Sequence, residues 1–180
     1  METVFYVLLI LFVLTEIFIT IRYIQKGKSK SAKAALIPAC LLVIYLLALC
    51  IFRIVMPYLV LVLATITVLL HTYVGLYLNL YRRSKIYDRY LHGFGSFSFA
   101  LLIYLTISKV TVPGGSVVFR AVFVAALGIA AGALFEIFEF VHDLKNKTDL
   151  QRGLTDTDFD LIFDVIGSAA ASILASFVYL

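Results

Sequence analysis

Charge is what this chain has least of: 14% of its 180 residues are Asp, Glu, Lys or Arg, against 63% hydrophobic, and the mean hydropathy is +1.05. That balance excludes a soluble globular domain, whose norm is nearer half apolar and a quarter charged. Cysteine is scarce too. Cys40 and Cys50 share one apolar run, ten residues apart, about 15 Å along a helix at 1.5 Å per residue. That is too far for a bond between them, so they read as small core residues rather than redox or metal groups. Proline is rare as well, and Pro38 falls in the first turn of its apolar run, where it is tolerated. The opening Met1-Glu2-Thr3 lacks the basic stretch of a secretory signal, and no small-residue cleavage site follows. The first run is therefore expected to stay in place as a reverse anchor.

What the chain does have is six runs near the membrane-spanning length, at about 3–22, 34–52, 57–80, 91–110, 117–140 and 159–179. The connections are short, so the expected fold is all-α: one integral membrane domain over residues 1–180, a polytopic bundle of six transmembrane helices. Cations give its orientation. Arg22, Lys26, Lys28, Lys30 and Lys33, then Arg82, Arg83, Lys85 and Arg89, then Lys145, Lys147 and Arg152 lie on alternate connections. Only Arg53, Lys109 and Arg120 lie near the other side, so the positive-inside rule places both termini outside. The net charge of +4 is then topological, and with no folded basic surface a nucleic-acid partner is not expected.

Seven ionisable groups interrupt the apolar runs or their ends: Glu16, His71, His92, Glu136, Glu139, Asp160 and Asp164. Each acid at membrane depth costs roughly 2.5 to 3.5 kcal/mol on insertion scales, so such residues mark an ion path, a substrate site or a paired network. Their spacing is helical. Asp88, His92 and Ser96 form one ridge entering span four, and Asp160 and Asp164 are one turn apart in span six. Glu136, Glu139 and Asp143 stripe the inner end of span five. Span three offers Thr67, His71, Gly75 and Asn79 at steps of four, ending near Arg82 and Arg83, while Glu16 and Thr20 lie in the inner half of span one. Five helices thus direct polar groups at one cytoplasmic layer. Span five also holds Gly128-Ile-Ala-Ala-Gly132, which span six answers with Gly167, Ser168, Ala171 and Ser172. That pattern predicts close packing of the last two helices. Val112-Pro113-Gly114-Gly115 reads as an external turn.

Structural readings stand beside these. Asp156 and Asp158 suit the N-terminus of span six as caps and dipole-facing anions. Asp88 suits a surface pair with Arg89 or Arg83. His71 reads as a hydrogen-bonded bundle residue. Glu139-x-x-His142 has the spacing of di-iron helices, but a second such helix is missing and an interfacial histidine is the simpler reading. The whole layer would also serve as a salt-bridge network that fixes helix packing.

Tyr87 to His92, Gly132 to Phe140, and Gln151 to Asp164 with Gly167 resemble the uncharacterised bacterial membrane-spanning family of the YjdF inner-membrane type. More remotely they are similar to VanZ-like proteins, which share an aspartate-to-histidine stretch, a glutamate helix and a final aspartate helix ending in small residues. The likeness covers about the last 95 residues, with Phe135 where many relatives have tryptophan. It implies a bacterial inner-membrane protein whose family motif falls on Asp88, His92, Glu136, Glu139, Asp156, Asp160 and Asp164. No established reaction comes with it, since VanZ-like proteins are associated with glycopeptide tolerance by an unclear route.

Three function classes fit. In the first, His92, Glu136, Glu139, Asp156, Asp160 and Asp164 are hard ligands for magnesium or manganese. The ion would then serve an enzyme of cell-envelope metabolism acting on a lipid-linked phosphate, with Arg82, Arg83, Arg89 and Asp88 on the substrate side. No nucleophile motif accompanies them. The second is cation- or proton-coupled transport, against which stand the missing inverted repeat and an outer half almost bare of polar groups. The third is a non-catalytic partner of envelope proteins, whose polar layer would only pack.

Overall fold

Apolar runs of this length satisfy their own backbone polar groups only as helices, and the computed structural model is all helix and turn. It describes residues 2–111, 115–147 and 149–177, and among these no strand occurs. Six helices are long and apolar enough to cross a membrane: Phe5–Gln25, Ser29–Ile51, Tyr58–Tyr77, Lys85–Val110, Val117–Asn146 and Leu154–Phe177. Three of the expected external-turn residues, 112–114, lie outside the described residues; Gly115, which follows them, takes a positive φ of 118°.

The chain divides into two compact units, Met1–Ser84 and Lys85–Leu180. In the first, α1 (Glu2–Gln25) is largely apolar, and Ile10, Leu14 and Ile24 stay exposed on it, as a lipid-facing helix requires. Gly27, at φ 66°, ends the helix in a Schellman turn, with Lys28 N donating to Tyr23 O at 2.9 Å and Gly27 N to Ile24 O at 2.9 Å. The chain then enters α2 (Ser29–Ile51), whose buried stripe is Ala32, Ala35, Ala39, Leu42 and Leu49. Ala32 and Ala35 meet Ile19 and Tyr23 of α1 in a buried cluster that Leu76 and Tyr77 close.

Two expectations for α2 are corrected. The helix begins at Ser29 rather than near 34, because the polar residues 29–33 continue its hydrogen bonding, so Pro38 lies inside the helix and not in its first turn. Membrane helices tolerate this where neighbours compensate for the missing N–H. Cys40 and Cys50 are exposed on the helix rather than buried as core, since the alanine stripe supplies the inner face.

The third span changes character midway. An α-helix, α3 (Tyr58–Leu69), widens into a π-helical segment over Leu70–Tyr77, closed by Leu78 N donating to Tyr73 O at 2.8 Å. The wider turn breaks the four-residue stripe expected from Thr67 to Asn79, and Asn79 sits beyond the helix in a left-handed conformation at φ 63°. A short helix, α4 (Leu80–Arg83), ends the unit.

The second unit packs α5 (Lys85–Val110), α6 (Val117–Asn146) and α7 (Leu154–Phe177) against one another. Glycine sets the approach. A Cβ at Gly167 of α7 would overlap the backbone carbonyl of Gly93 on α5, so these helices touch main chain to main chain. On α6, a Cβ at Gly128 would meet the Ser168 and Ala100 side chains, and one at Gly132 the Asp164 carboxylate. The Gly128/Gly132 pair therefore does admit α7, as the spacing implied, while Gly167 serves α5 instead of α6. All three helices run beyond the apolar runs at polar ends: α5 starts at Lys85 instead of 91, α6 continues to Asn146, and α7 starts at Leu154 instead of 159. The added turns carry Asp88, Asp143 and Asp156.

Candidate functional site

Those polar turns converge. On α5, Asp88 and His92 are one turn apart and both buried, at 5% and 7% exposure. His92 is the hub: its Nε2 lies 3.4 Å from Glu136 Oε1 of α6 and 3.9 Å from Asp88 Oδ1. Its Nδ1 lies 3.3 Å from both Asp164 oxygens of α7. Ser96, a turn further along α5, donates to Asp164 Oδ1 at 2.5 Å. Asp164 is nearly sealed at 1% exposure, seated on the bare backbone of Gly132. The Phe135 ring packs edge-on against the imidazole, with centroids 5.6 Å apart.

Asp160, one turn before Asp164, is 3% exposed, and its Oδ1 has no hydrogen-bond partner among the described residues. Glu136 Oε1, Asp156 Oδ1 and His92 Nε2 are buried in the same condition. Ligating atoms of Asp88, His92 and Asp160 all lie within 4.8 Å of one another, an arrangement able to hold a metal ion. Glu139 is buried at 8% exposure, three residues along α6 from Glu136.

Six buried carboxyl groups, Asp88, Glu136, Glu139, Asp156, Asp160 and Asp164, thus share one small unit with His92 and, among the ion pairs of the described residues, one arginine. That arginine is Arg152, which donates from one terminal nitrogen to Asp88 Oδ2 and from Nε to Asp156 Oδ2 at 2.9 Å. Asp88 therefore pairs across helices with Arg152, and not with Arg83 or Arg89 at a surface. Beside it, Gln151 Nε2 donates to Glu136 O at 2.9 Å and to Glu136 Oε2 at 2.8 Å. The sequence reading placed Arg152 among the topological cations and gave Gln151 no role. The Arg152-x-x-x-Asp156 spacing was the one local signal available.

Other candidates make other contacts. Arg82 and Arg83 are exposed on α4 of the first unit, and Arg89 lies over the Phe159 ring at 4.0 Å from its centroid. Asp158 is exposed on α7. Asp143 caps the connection after α6, its Oδ2 accepting from Leu150 N at 2.8 Å and Gln151 N at 3.0 Å. His142 packs on Phe138, with centroids 6.1 Å apart. In the first unit, His71 Nδ1 is 2.6 Å from the Tyr81 hydroxyl, and buried Glu16 pairs with the Thr72 hydroxyl from the π segment.

Residues 5–179 match the family described as Predicted membrane protein (DUF2238). The chain belongs to that family. It is thereby a predicted membrane protein, in keeping with its six apolar helices, and membership is compatible with the YjdF-type resemblance. It is also similar to a protein of Thermotoga maritima named "Uncharacterized protein", 38% identical over 108 residues, which are 56% of this chain and 53% of the relative. The match therefore spans about half the length of that curated relative. No solved structure matches.

Proposed function

We propose that the second unit is a divalent-cation site, taking magnesium or manganese between α5, α6 and α7. One observation carries this reading. Asp88, His92 and Asp160 bring ligating atoms within 4.8 Å of one another, and one Asp160 oxygen, Oδ1, is buried without a hydrogen bond. Burying so many carboxyl groups around one arginine and one histidine, as the described residues show, is costly unless protons or a bound cation offset them. Oxygen donors with one imidazole suit hard divalent ions, and Glu136, Glu139, Asp156 and Asp164 extend the donor set. In the finer reading the ion sits in the inner membrane of a bacterium and polarises a phosphoryl oxygen of a lipid-linked substrate in envelope metabolism. Arg89, next to Asp88 on α5 of the same unit, would supply a cation for such a phosphate. The remote similarity to VanZ-like proteins belongs to the same proposal.

The test is thermal unfolding of the purified protein in detergent as manganese or magnesium is added. A ligand at about 100 times its Kd stabilises by about 2.7 kcal/mol, so a saturating rise in Tm is expected. Asp160→Asn should abolish that rise while leaving the ion-free Tm equal or higher, because it removes one of several crowded like charges. A wild-type protein whose Tm ignores divalent ions overturns the proposal and favours a packing network or a non-catalytic partner. A second reading, cation- or proton-coupled transport, draws on the same buried acids in helices of membrane length. Ion-gradient-driven flux in proteoliposomes would favour it over an enzyme.

A further inference from the structure

We infer that the connection between α6 and α7 is a strap whose Gln151 and Arg152 are positioning residues, each holding back one oxygen of a carboxylate and presenting the other to the cation site. The inference rests on the proposed cation reading and names the residues that orient its ligands.

The strap is itself anchored, since Asp143 Oδ2 accepts from Leu150 N and Gln151 N at 2.8 and 3.0 Å. From there Gln151 takes Glu136 Oε2 at 2.8 Å, and its amide nitrogen also meets Glu136 O, so both partners are acceptors and the amide orientation is fixed. Glu136 Oε1 is left pointing at His92 Nε2, 3.4 Å away, with no hydrogen bond. Arg152 takes Asp88 Oδ2 and leaves Oδ1 as the oxygen on the His92 side, 3.9 Å from Nε2. It also takes Asp156 Oδ2 and leaves Oδ1 buried without a hydrogen bond. Glu136 and Asp156 are thus treated alike, each with one oxygen held and its twin buried without a hydrogen bond, while Asp88 has one oxygen held and the other turned toward His92.

That division is informative because a guanidinium whose role is to neutralise an acid engages both oxygens of one carboxylate in a parallel fork. Arg152 instead divides its donors between α5 and α7. An arrangement that fixes one oxygen and leaves its twin unsatisfied in a buried place is what groups outside the ligand shell do for metal-bound carboxylates. Removing such a group costs about 10- to 100-fold in metal affinity. Asp164 differs, since Ser96 donates to its Oδ1 and His92 Nδ1 lies within reach of both its oxygens. A connection that merely closed two helix ends would need the Asp143 cap but would have no use for leaving these oxygens bare.

The experiment uses the full chain in detergent with manganese alone as the probe, reading affinity by titration and the ligand field by electron paramagnetic resonance. Gln151→Leu and Arg152→Lys are each expected to weaken manganese by about 10- to 100-fold and to change the spectrum. Arg152→Lys keeps the positive charge, so its ion-free Tm should stay near wild type while its single ammonium fails to span Asp88 and Asp156. Asp149→Asn, an exposed change on the same strap, should alter neither readout. Unchanged affinity and spectrum in both strap variants would overturn the inference while the cation site itself stood. Variants that lose manganese only because the unit no longer folds would also count against it, as a positioning strap leaves the fold intact. A wild type without manganese binding removes the underlying reading and this one with it.

Discussion

His92 shows how much one side chain decides here. A neutral imidazole has one donor and one acceptor nitrogen. In the neutral form, a proton on Nδ1 would be donated to Asp164 and would leave the Nε2 lone pair on the side of Asp88 and Glu136. That tautomer is the one a metal-binding histidine adopts when a carboxylate stands behind it. Ser96 completes the support by donating to Asp164 Oδ1. Its removal leaves Asp164 Oδ1 with the longer His92 Nδ1 contact at 3.3 Å, so Ser96→Ala should cost about 1 kcal/mol. Ser98, equally buried, only bonds back to Phe94 O at 2.7 Å, so Ser98→Ala should change stability little. Chemical unfolding of both variants in mixed micelles checks this, and equal losses would mean that the Ser96 hydroxyl gives Asp164 nothing beyond packing.

At the scale of elements, glycine governs how near the helices come, and the neighbour it meets decides the penalty for a side chain. Gly167→Ala drives a methyl into the Gly93 carbonyl, which cannot rotate away, and overpacking of this kind costs about 1 to 3 kcal/mol or more. At Gly75 the added methyl meets the Tyr81 ring, which can swing aside, so Gly75→Ala should be milder and should disturb the His71–Tyr81 hydrogen bond instead. Melting curves of the two variants that ranked Gly75→Ala as the more damaging would contradict this account. The same contrast explains what the sequence disclosed. Gly128 and Gly132 were legible because their four-residue spacing is a local pattern, whereas Gly93 and Gly167 are lone glycines 74 positions apart whose pairing appears only once the helices are assembled. Counting apolar residues located six helices yet cut their polar ends short, since Asp88 and Asp156 lower hydropathy while their backbones continue the hydrogen bonding. The one-turn ridges of Asp88 with His92 and Asp160 with Asp164 could be read from spacing. Arg152 could not, because its partner Asp88 is 64 residues away and a cation on a connection looks like a mark of orientation. Nor did any residue pattern announce the π segment.

For the whole molecule, orientation is the property on which the proposed chemistry depends, and the structure sharpens the charge count behind it. Arg152 is engaged with Asp88 and Asp156, so its charge is matched within the protein. Lys145 and Lys147 still mark that connection as basic, and Arg22 to Lys33 and Arg82 to Lys85 mark the two preceding ones, against Arg53, Lys109 and Arg120. Because the rule counts Lys and Arg near helix ends rather than net charge, the bias survives the loss of one arginine. Reporter domains inserted near Lys30 and Arg83 should therefore be active in the cytoplasm, and reporters at Gly114 and after Leu180 on the opposite side. The connection carrying Gln151 and Arg152 would then face the cytoplasm, where magnesium is abundant and where anionic headgroups of the inner leaflet lie within reach of the same basic residues. A C-terminal reporter active in the cytoplasm would overturn this orientation. It would carry the acidic cluster to the outer leaflet, leave the geometry of the cation site untouched, and require its ion and any phosphate to arrive from outside the cell.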